Sequence, residues 1–433
     1  NRISDSPDTV FTGVLPTVIS ATNPGGKREI GATYDSSDNL RTDDPEEAYS
    51  IFTSTRKIET CKTYSLSFSS NEGHQFYKYP ENTLKIIDIN TRLLETITTG
   101  YTHSVNNQKW SPDGQYLAIF DGDTSSYGHL AIIDWKSKNV VFKSNLYSYS
   151  YVWHPDSRSI WFTSVGTELS DYDYKVYKYS LETHTTEKII DLPENSSYIS
   201  WSSDGHYLAI GMPDASLQNT FPLYILNSNG DLLKTSGLEK IIAVNNNIQI
   251  AWHPFLPVLA ISGGYVRESI AERFGSYLYL VSFDNYDEED FRIENGDLPI
   301  LSLSGDYSQL QWSPTGDKII YFDWLDQTEN LYLHDFRTGV TKNITPDFLE
   351  KYEKSDHTML FSPDGKYIAS LYYIFDKNYY PLMNLKTGEL WIPEGKNPTG
   401  RIIIYSLETG ESYVVVADNV DENSNFTWVP CDK

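Results

Sequence analysis

One phrase returns along this chain and limits its fold more than any other feature. It consists of an aromatic residue, a small polar residue, often Pro, then Asp or Asn, often Gly, and an apolar run. It reads Trp110-Ser-Pro-Asp-Gly114 before Tyr116-Leu-Ala-Ile-Phe120, Trp153-His-Pro-Asp-Ser157 before Ile160-Trp-Phe162, and Trp201-Ser-Ser-Asp-Gly205 before Tyr207-Leu-Ala-Ile210. It continues as Trp252-His-Pro-Phe-Leu256, Trp312-Ser-Pro-Thr-Gly316 and Phe361-Ser-Pro-Asp-Gly365, with a weaker copy at Phe68 and a truncated one at Trp428. Pro presets φ for a tight turn, Asp supplies a side-chain acceptor and Gly tolerates positive φ, so each phrase reads as a hairpin joining two strands. Between the phrases lies a second signal, a period-2 apolar run such as Leu130-Ala-Ile-Ile-Asp134 or Leu331-Tyr-Leu-His-Asp335. One such run, Ala48-Tyr-Ser-Ile-Phe52, has no aromatic phrase before it. Each unit thus offers an inner strand ending at the aromatic, a second strand, a third, and a short fourth such as Val140-Val-Phe142.

Four short antiparallel strands repeated at roughly 40 to 60 residues are the mark of propeller blades, whereas a helical solenoid needs 3.6-residue periodicity. The Trp-Ser-Pro-Asp-Gly turn resembles that of the WD-repeat and TolB-type (PD40-like) β-propellers, over residues from about 48 to 430. The reversed dipeptide Asp134-Trp135 and the lack of a regular Gly-His place the resemblance nearer the TolB-type end. It implies a fold and says little about function. Eight aromatic phrases and eight third-strand runs, offset by one at the two ends, predict a single all-β domain over 1–433 with eight four-stranded blades. In this reading residues 1–45 are an N-terminal extension with the first strands of the closing blade, which ends before about residue 62. Residues 425–430 supply that blade's inner strand, so that both termini close the ring and remove open sheet edges. Seven blades is the alternative if the N-terminal segment is only a cap.

Composition narrows the partners. With 59 acidic against 34 basic side chains the net charge is -25, and such a field repels phosphate backbones and anionic lipid. Nucleic acid is not expected, and no apolar stretch is long enough for membrane insertion as a helix. Neither Cys61 nor Cys431 has a metal-binding companion in the sequence. With Cys61 on the outer strand and Cys431 beyond the inner strand of the closing blade, three strand spacings of about 14 Å in all separate them, too far for a disulfide unless the C-terminal tail folds back. Few cysteines, abundant Asn, Ser, Thr and Tyr, and a start at Asn1 without Met point to an exported protein, whether periplasmic, cell-surface or secreted, with the cytoplasm as the alternative.

The repeated rings Phe68, Trp110, Trp153, Trp201, Trp252, Trp312, Phe361 and Trp428 are read as packing between blades, and Asp113, Asp156, Asp204 and Asp364 as turn formers. His154 and His253, at equivalent turn positions, are read as exposed. In a four-strand meander the second-to-third loops lie at the end opposite the aromatic turns, and these are the long ones: 121–128, 164–173, 211–221, 263–276 and 375–400. Long loops on a rigid scaffold are where recognition resides. The longest presents Tyr379, Tyr380, Met383 and Trp391, either as a binding surface or as anchors that tuck the loop down. Gly263–Gly275 reads as a short amphipathic helix with Tyr265, Arg267 and Arg273, the arginines pairing with Glu268 and Glu272. Asp121, Asp123 and Asp287 are weak calcium candidates, because neither acidic stretch completes a coordination loop; solvated acidic loops are the preferred reading and no cofactor is expected. No hydrolase elbow, zinc helix, phosphate loop or haem site occurs. The reading is a non-enzymatic scaffold that binds a protein or peptide through its long-loop face. The alternatives are an exported propeller enzyme with a central-channel site and a self-assembling surface or filament subunit.

Overall fold

The computed structural model describes residues 19–20, 32–34, 40–42, 61–70, 83–91, 94–97, 104–122, 128–167, 174–192, 198–211, 223–233, 238, 241–242, 249–265, 276–283, 301–303, 307–325, 328–345, 359–374, 382–383, 390–391, 399–420 and 426–431. Its regular elements are all β-strands, and among the described residues no helix is long and apolar enough to cross a membrane. The chain divides into two compact units, residues 1–58 with 200–345, and residues 59–199 with 346–433.

The second unit holds four antiparallel meanders. The Phe361 blade runs Met359–Phe361, Tyr367–Ile374, Thr399–Ser406 and Ser412–Val420. The Trp428 blade takes Phe426–Trp428 as its first strand and continues through Ser65–Ser70, Thr83–Asp88 and Leu94–Ile97. The Trp110 blade runs Ser104–Trp110, Tyr116–Gly122, Gly128–Asp134 and the first part of Val140–Trp153. That long strand then crosses over to begin the Trp153 blade, followed by Ser159–Gly166, Lys175–Ser180 and Thr185–Asp191.

The other unit holds three. The Trp201 blade comprises Tyr198–Trp201, Tyr207–Gly211 and Leu223–Asn227, with Leu232 bridged to Leu226 in place of a full fourth strand. The Trp252 blade runs Gln249–Trp252, Val258–Tyr265, Ser276–Ser282 and Leu301–Leu303, and the Trp312 blade runs Tyr307–Trp312, Lys318–Leu325, Thr328–Asp335 and Val340–Asn343. A short strand, Ile19–Ser20, lies parallel to Ser276–Ser282.

The described residues therefore form seven meanders, against the eight expected. The difference lies in Phe68. It stands on a second strand, directly opposite Phe426, so that Phe68 and Trp428 mark one blade that the repeat count had entered twice. The first strand of that blade pairs with Ser65–Ser70, and its other strands come from residues up to 97, not from residues before 62. Phe68 lacks the Pro-Asp-Gly turn because its strand joins the next, antiparallel one through the long segment 71–82 and not through a tight turn. The run Ala48–Phe52 lies outside the described residues.

This register also overturns the cysteine reading. Cys61 precedes a strand adjacent to the one that leads to Cys431, so one strand spacing separates them rather than three. Their Cα atoms are 5.2 Å apart and the two residues form a disulfide. Beside it the Tyr64 hydroxyl donates to Asp364 Oδ2 at 2.5 Å, tying the segment before Ser65 to the turn of the Phe361 blade. Burial first, and then that hydrogen bond, pushes the Tyr64 phenol well above its ordinary pKa.

Burial falls off outward in the Trp153 blade: the second strand is buried almost throughout, the third is buried only at Val176 and Tyr179, and the fourth is mostly exposed. A strand covered on both faces needs a continuous apolar run, which is what Ile160-Trp-Phe162 supplies.

The aromatic phrases do two jobs. In Trp110-Ser-Pro-Asp-Gly114 the Ser111 hydroxyl accepts from Tyr116 N at 3.0 Å and donates to Asp113 Oδ1 at 2.6 Å, while Asp113 Oδ1 accepts from Gln115 N. The same set recurs around Ser202 with Asp204 and around Ser362 with Asp364. The indoles stitch neighbouring blades. Trp153 Nε1 donates to Lys109 O at 2.9 Å, Trp252 Nε1 to Ser200 O at 3.0 Å, Trp312 Nε1 to Ala251 O at 3.1 Å and Trp428 Nε1 to Leu360 O at 3.0 Å. Each acceptor is the residue just before the aromatic of the preceding blade. Burying each ring contributes about 2 to 3 kcal/mol, and the indole bond fixes the spacing of inner strands.

His253 departs from expectation. It is fully buried, with Nε2 within 2.9 Å of Gly316 O and Nδ1 accepting from Leu256 N. The Trp252 turn has Phe255 and Leu256 where its counterparts have Asp and Gly, and the imidazole supplies the acceptor that Asp provides elsewhere. His154, in a turn that keeps its Asp, is half-buried and meets Asp156.

Candidate binding face

Each meander has two ends. The aromatic turns occupy one, and the connections between second and third strands leave from the other. In the unit of residues 59–199 and 346–433 these connections span 71–82, 123–127, 168–173 and 375–398. In the unit of residues 1–58 and 200–345 they span 212–222, 266–275 and the short 326–327. Every second-to-third connection thus lies at the end opposite the aromatic turns, whereas the long connection 284–300, between the third and fourth strands of the Trp252 blade, leaves from the turn end.

Strands Tyr367–Ile374 and Thr399–Ser406 pair residue for residue up to Ile374 opposite Thr399. Within the segment that follows, Leu382 pairs with Trp391 and Met383 with Leu390. Met383 and Trp391, singled out from the sequence, therefore lie on the two arms of one small hairpin. Tyr379 and Tyr380 lie outside the described residues. Tyr265 ends the strand Val258–Tyr265 and pairs with Ile241 on the connection that precedes the Trp252 blade, which prolongs the ladder toward the loops. Arg267 and Arg273 lie outside the described residues, as does the expected helix beyond Tyr265.

Asp121 is not a solvated acid. It is 3% exposed and forms an ion pair with Lys143 of the fourth strand, across the third strand from it. A carboxylate engaged by an ammonium in its own blade is a poor start for a calcium site, which needs several uncommitted oxygens. Asp123 and Asp287 lie outside the described residues. Among the described residues no three His, Cys, Asp or Glu side chains cluster as metal ligands would. Two histidines are held neutral: burial lowers His253 and His334 to a pKa of about 4 each. His334 Nδ1 lies 2.8 Å from Thr341 Oγ1 within its own blade, a structural contact.

Sequence reasoning passed over one stretch of interest, Asn106-Asn-Gln-Lys109. Four polar residues running into Trp110 break the apolar character expected of an inner strand, and that break was the available signal.

Repeated four-stranded meanders stitched by aromatic turns make this a β-propeller protein. Residues 88–251 match the family model described as a YqgU-like 6-bladed beta propeller domain. That match covers less than half of the chain and, together with the Trp-Ser-Pro-Asp-Gly turns, supports the β-propeller fold. The propeller domain of the trilobed protease from Pyrococcus furiosus is 14% identical with a TM-score of 0.50, over 83% of this chain and 98% of that one. The acylaminoacyl peptidase of Pyrococcus horikoshii is 13% identical with a TM-score of 0.51, over 82% of this chain and 53% of that one, so the present chain spans about half its length. TolB from Acinetobacter baumannii is 16% identical with a TM-score of 0.43, over 81% and 79%. Likeness at such identities speaks for the fold alone. Among curated proteins no sequence matches significantly.

Proposed function

We propose that this chain is a non-enzymatic, exported propeller that binds a protein or peptide through the ends of its blades that carry the long connections. The observation that carries the reading is the hairpin of Leu382–Met383 and Leu390–Trp391, set in the longest connection and bearing Met and Trp, residue types enriched at interface hot spots. Seven blades in one ring, closed by Phe426–Trp428 on Ser65–Ser70, is the architecture we infer to support it; the seven meanders and that pairing favour it over eight. The disulfide favours export, since such bonds persist in oxidising compartments.

The test joins Ile374 to Thr399 by a short Gly-Ser turn and compares the product with the wild type. Unchanged thermal unfolding with loss of the partner retained by the wild type from its native source supports the reading. Equal retention of that partner overturns it. Recovery of the native protein in the cytosolic fraction would overturn export separately.

A further inference from the structure

The outermost strand of the Trp312 blade, Val340–Asn343, pairs with Thr328–Asp335 on one side and has no strand on the other among the described residues. Val340, Lys342 and Asn343 are exposed along it. The strand ends in the triplet Asn343-Ile344-Thr345, an Asn followed two places on by Thr with no Pro between them. Two further triplets of this pattern, at Asn195 and Asn425, lie outside the described residues. Such a triplet is an acceptor for N-linked sugar in an exported chain when its Asn stands at the surface.

The fold treats the three residues differently. Ile344 is buried and its N–H donates to Leu331 O at 2.8 Å, while Thr345 Oγ1 accepts from Leu331 N at 2.8 Å. These bonds fasten the triplet to the third strand. Asn343 is left at the surface, with Oδ1 accepting from Thr345 N at 2.9 Å and Nδ2 donating to Asn330 Oδ1 at 3.3 Å. The first of these bonds decides which amide atom is oxygen and which nitrogen. An amide nitrogen carries two N–H donors, and the bond to Asn330 uses one of them. Replacing the other hydrogen by a sugar therefore leaves both bonds of the side chain in place.

We propose that Asn343 is a glycosylation site, with Nδ2 as the attachment point of an N-linked oligosaccharide. Nδ2 attacks the anomeric carbon of a lipid-phosphate-linked oligosaccharide. The N–C bond forms as the C–O bond to the phosphate breaks, the phosphate leaves with the bonding pair, and the amide gives up one proton to a base of the transferase. A large hydrated group on Asn343 would stand beside the open edge and its exposed Val340, and hinder strand addition from another chain, the hazard that open edges carry. Pro346, directly after the triplet, biases Thr345 toward extended backbone and narrows the ways the segment can enter a transferase, so modification of a fraction of the molecules is the expected result. The proposal rests on the exported location inferred above, since transfer takes place along the export route.

The test is peptide mass spectrometry on the protein purified from its native source and digested without reduction. A peptide spanning Asn343 that carries a sugar mass, in part or all of the molecules, supports the site. The same map reads the cysteines, so the two readings fail separately. That peptide wholly unmodified with the Cys61–Cys431 disulfide intact overturns the site and leaves export standing. Wholly unmodified with both cysteines as thiols, it overturns both. Asn343→Asp, produced in the same source, keeps an oxygen to accept from Thr345 N and should lose the sugar; sugar persisting on the peptide of this variant is linked to a hydroxyl and overturns the assignment.

Discussion

Replacing Cys61 and Cys431 by serine removes a cross-link between residues 370 apart in sequence, and the consequence can be worked out. In the chain-entropy treatment a loop of that length withholds roughly 20 cal/mol/K from the unfolded ensemble, or about 6 kcal/mol at 25 °C. Unfolding entropy of about 2.1 cal/mol/K per residue, taken over 433 residues, gives roughly 0.9 kcal/mol/K. The double serine variant should therefore melt roughly 6 to 7 °C below the wild type. The expected loss is an upper bound, because the same ends are also held by the pairing of Phe426–Trp428 with Ser65–Ser70 and by the Tyr64 to Asp364 bond, and residual structure in the unfolded chain diminishes the entropy gained. Calorimetry on wild type, wild type with reductant, and the Cys61→Ser/Cys431→Ser variant is the assay. The latter two should coincide. Equal melting of all three would refute the cross-link, and with it the register that places Cys61 beside the closing strand.

Two further outcomes follow from local geometry. Gly316 and Gly410 share φ 73°, but a Cβ on Gly316 would overlap the His253 imidazole, whereas one on Gly410 would find nothing nearer than Tyr405 Oη at 3.8 Å. Gly410→Ala should cost about 1 to 2 kcal/mol for its backbone alone, and Gly316→Ala clearly more; equal shifts in denaturant midpoint would contradict the His253 packing. His253 and His334 have pKa values lowered by burial to about 4, below the roughly 6.5 of an unfolded histidine. The unfolded chain thus binds the extra protons, so their contribution is fully present above pH 6.5 and is lost as pH falls from 6.5 toward 4, about 3 kcal/mol for each. His253→Gln should flatten that part of the stability profile, and an unchanged profile would count against a buried neutral imidazole.

The parts of this fold that could be read from the chain are those set by near neighbours. Ser111, Asp113 and Gly114 build their turn within five residues, and the rings beside such turns pack between blades because a large apolar face at one position per repeat has nowhere else to go. His253 misled because its acceptor role becomes visible only when Gly316 of the next blade is brought against it, 63 positions along the chain. Asp121 misled in the same way, since Lys143 reaches it only after two further strands have been laid down. Of the candidate face, the end at which each second-to-third connection lies follows from strand alternation, whereas the pairing of Met383 and Trp391 within one hairpin does not. The polar break at Asn106–Lys109 was visible as a pattern, but its unpartnered Gln108 was not, because satisfaction of an amide is a property of everything around it.

Repeat, turn chemistry and blade type were determined by the sequence by itself, since each rests on contacts spanning a few residues and on a period that composition cannot disguise. Tertiary structure alone decided which strand receives Phe426–Trp428, and hence that Phe68 belongs to the same blade and Cys61 lies beside Cys431. The physical reason is that strand pairing is read by backbone groups common to every residue. An alternating apolar strand is compatible with several neighbours, and only simultaneous packing of both faces selects one of them.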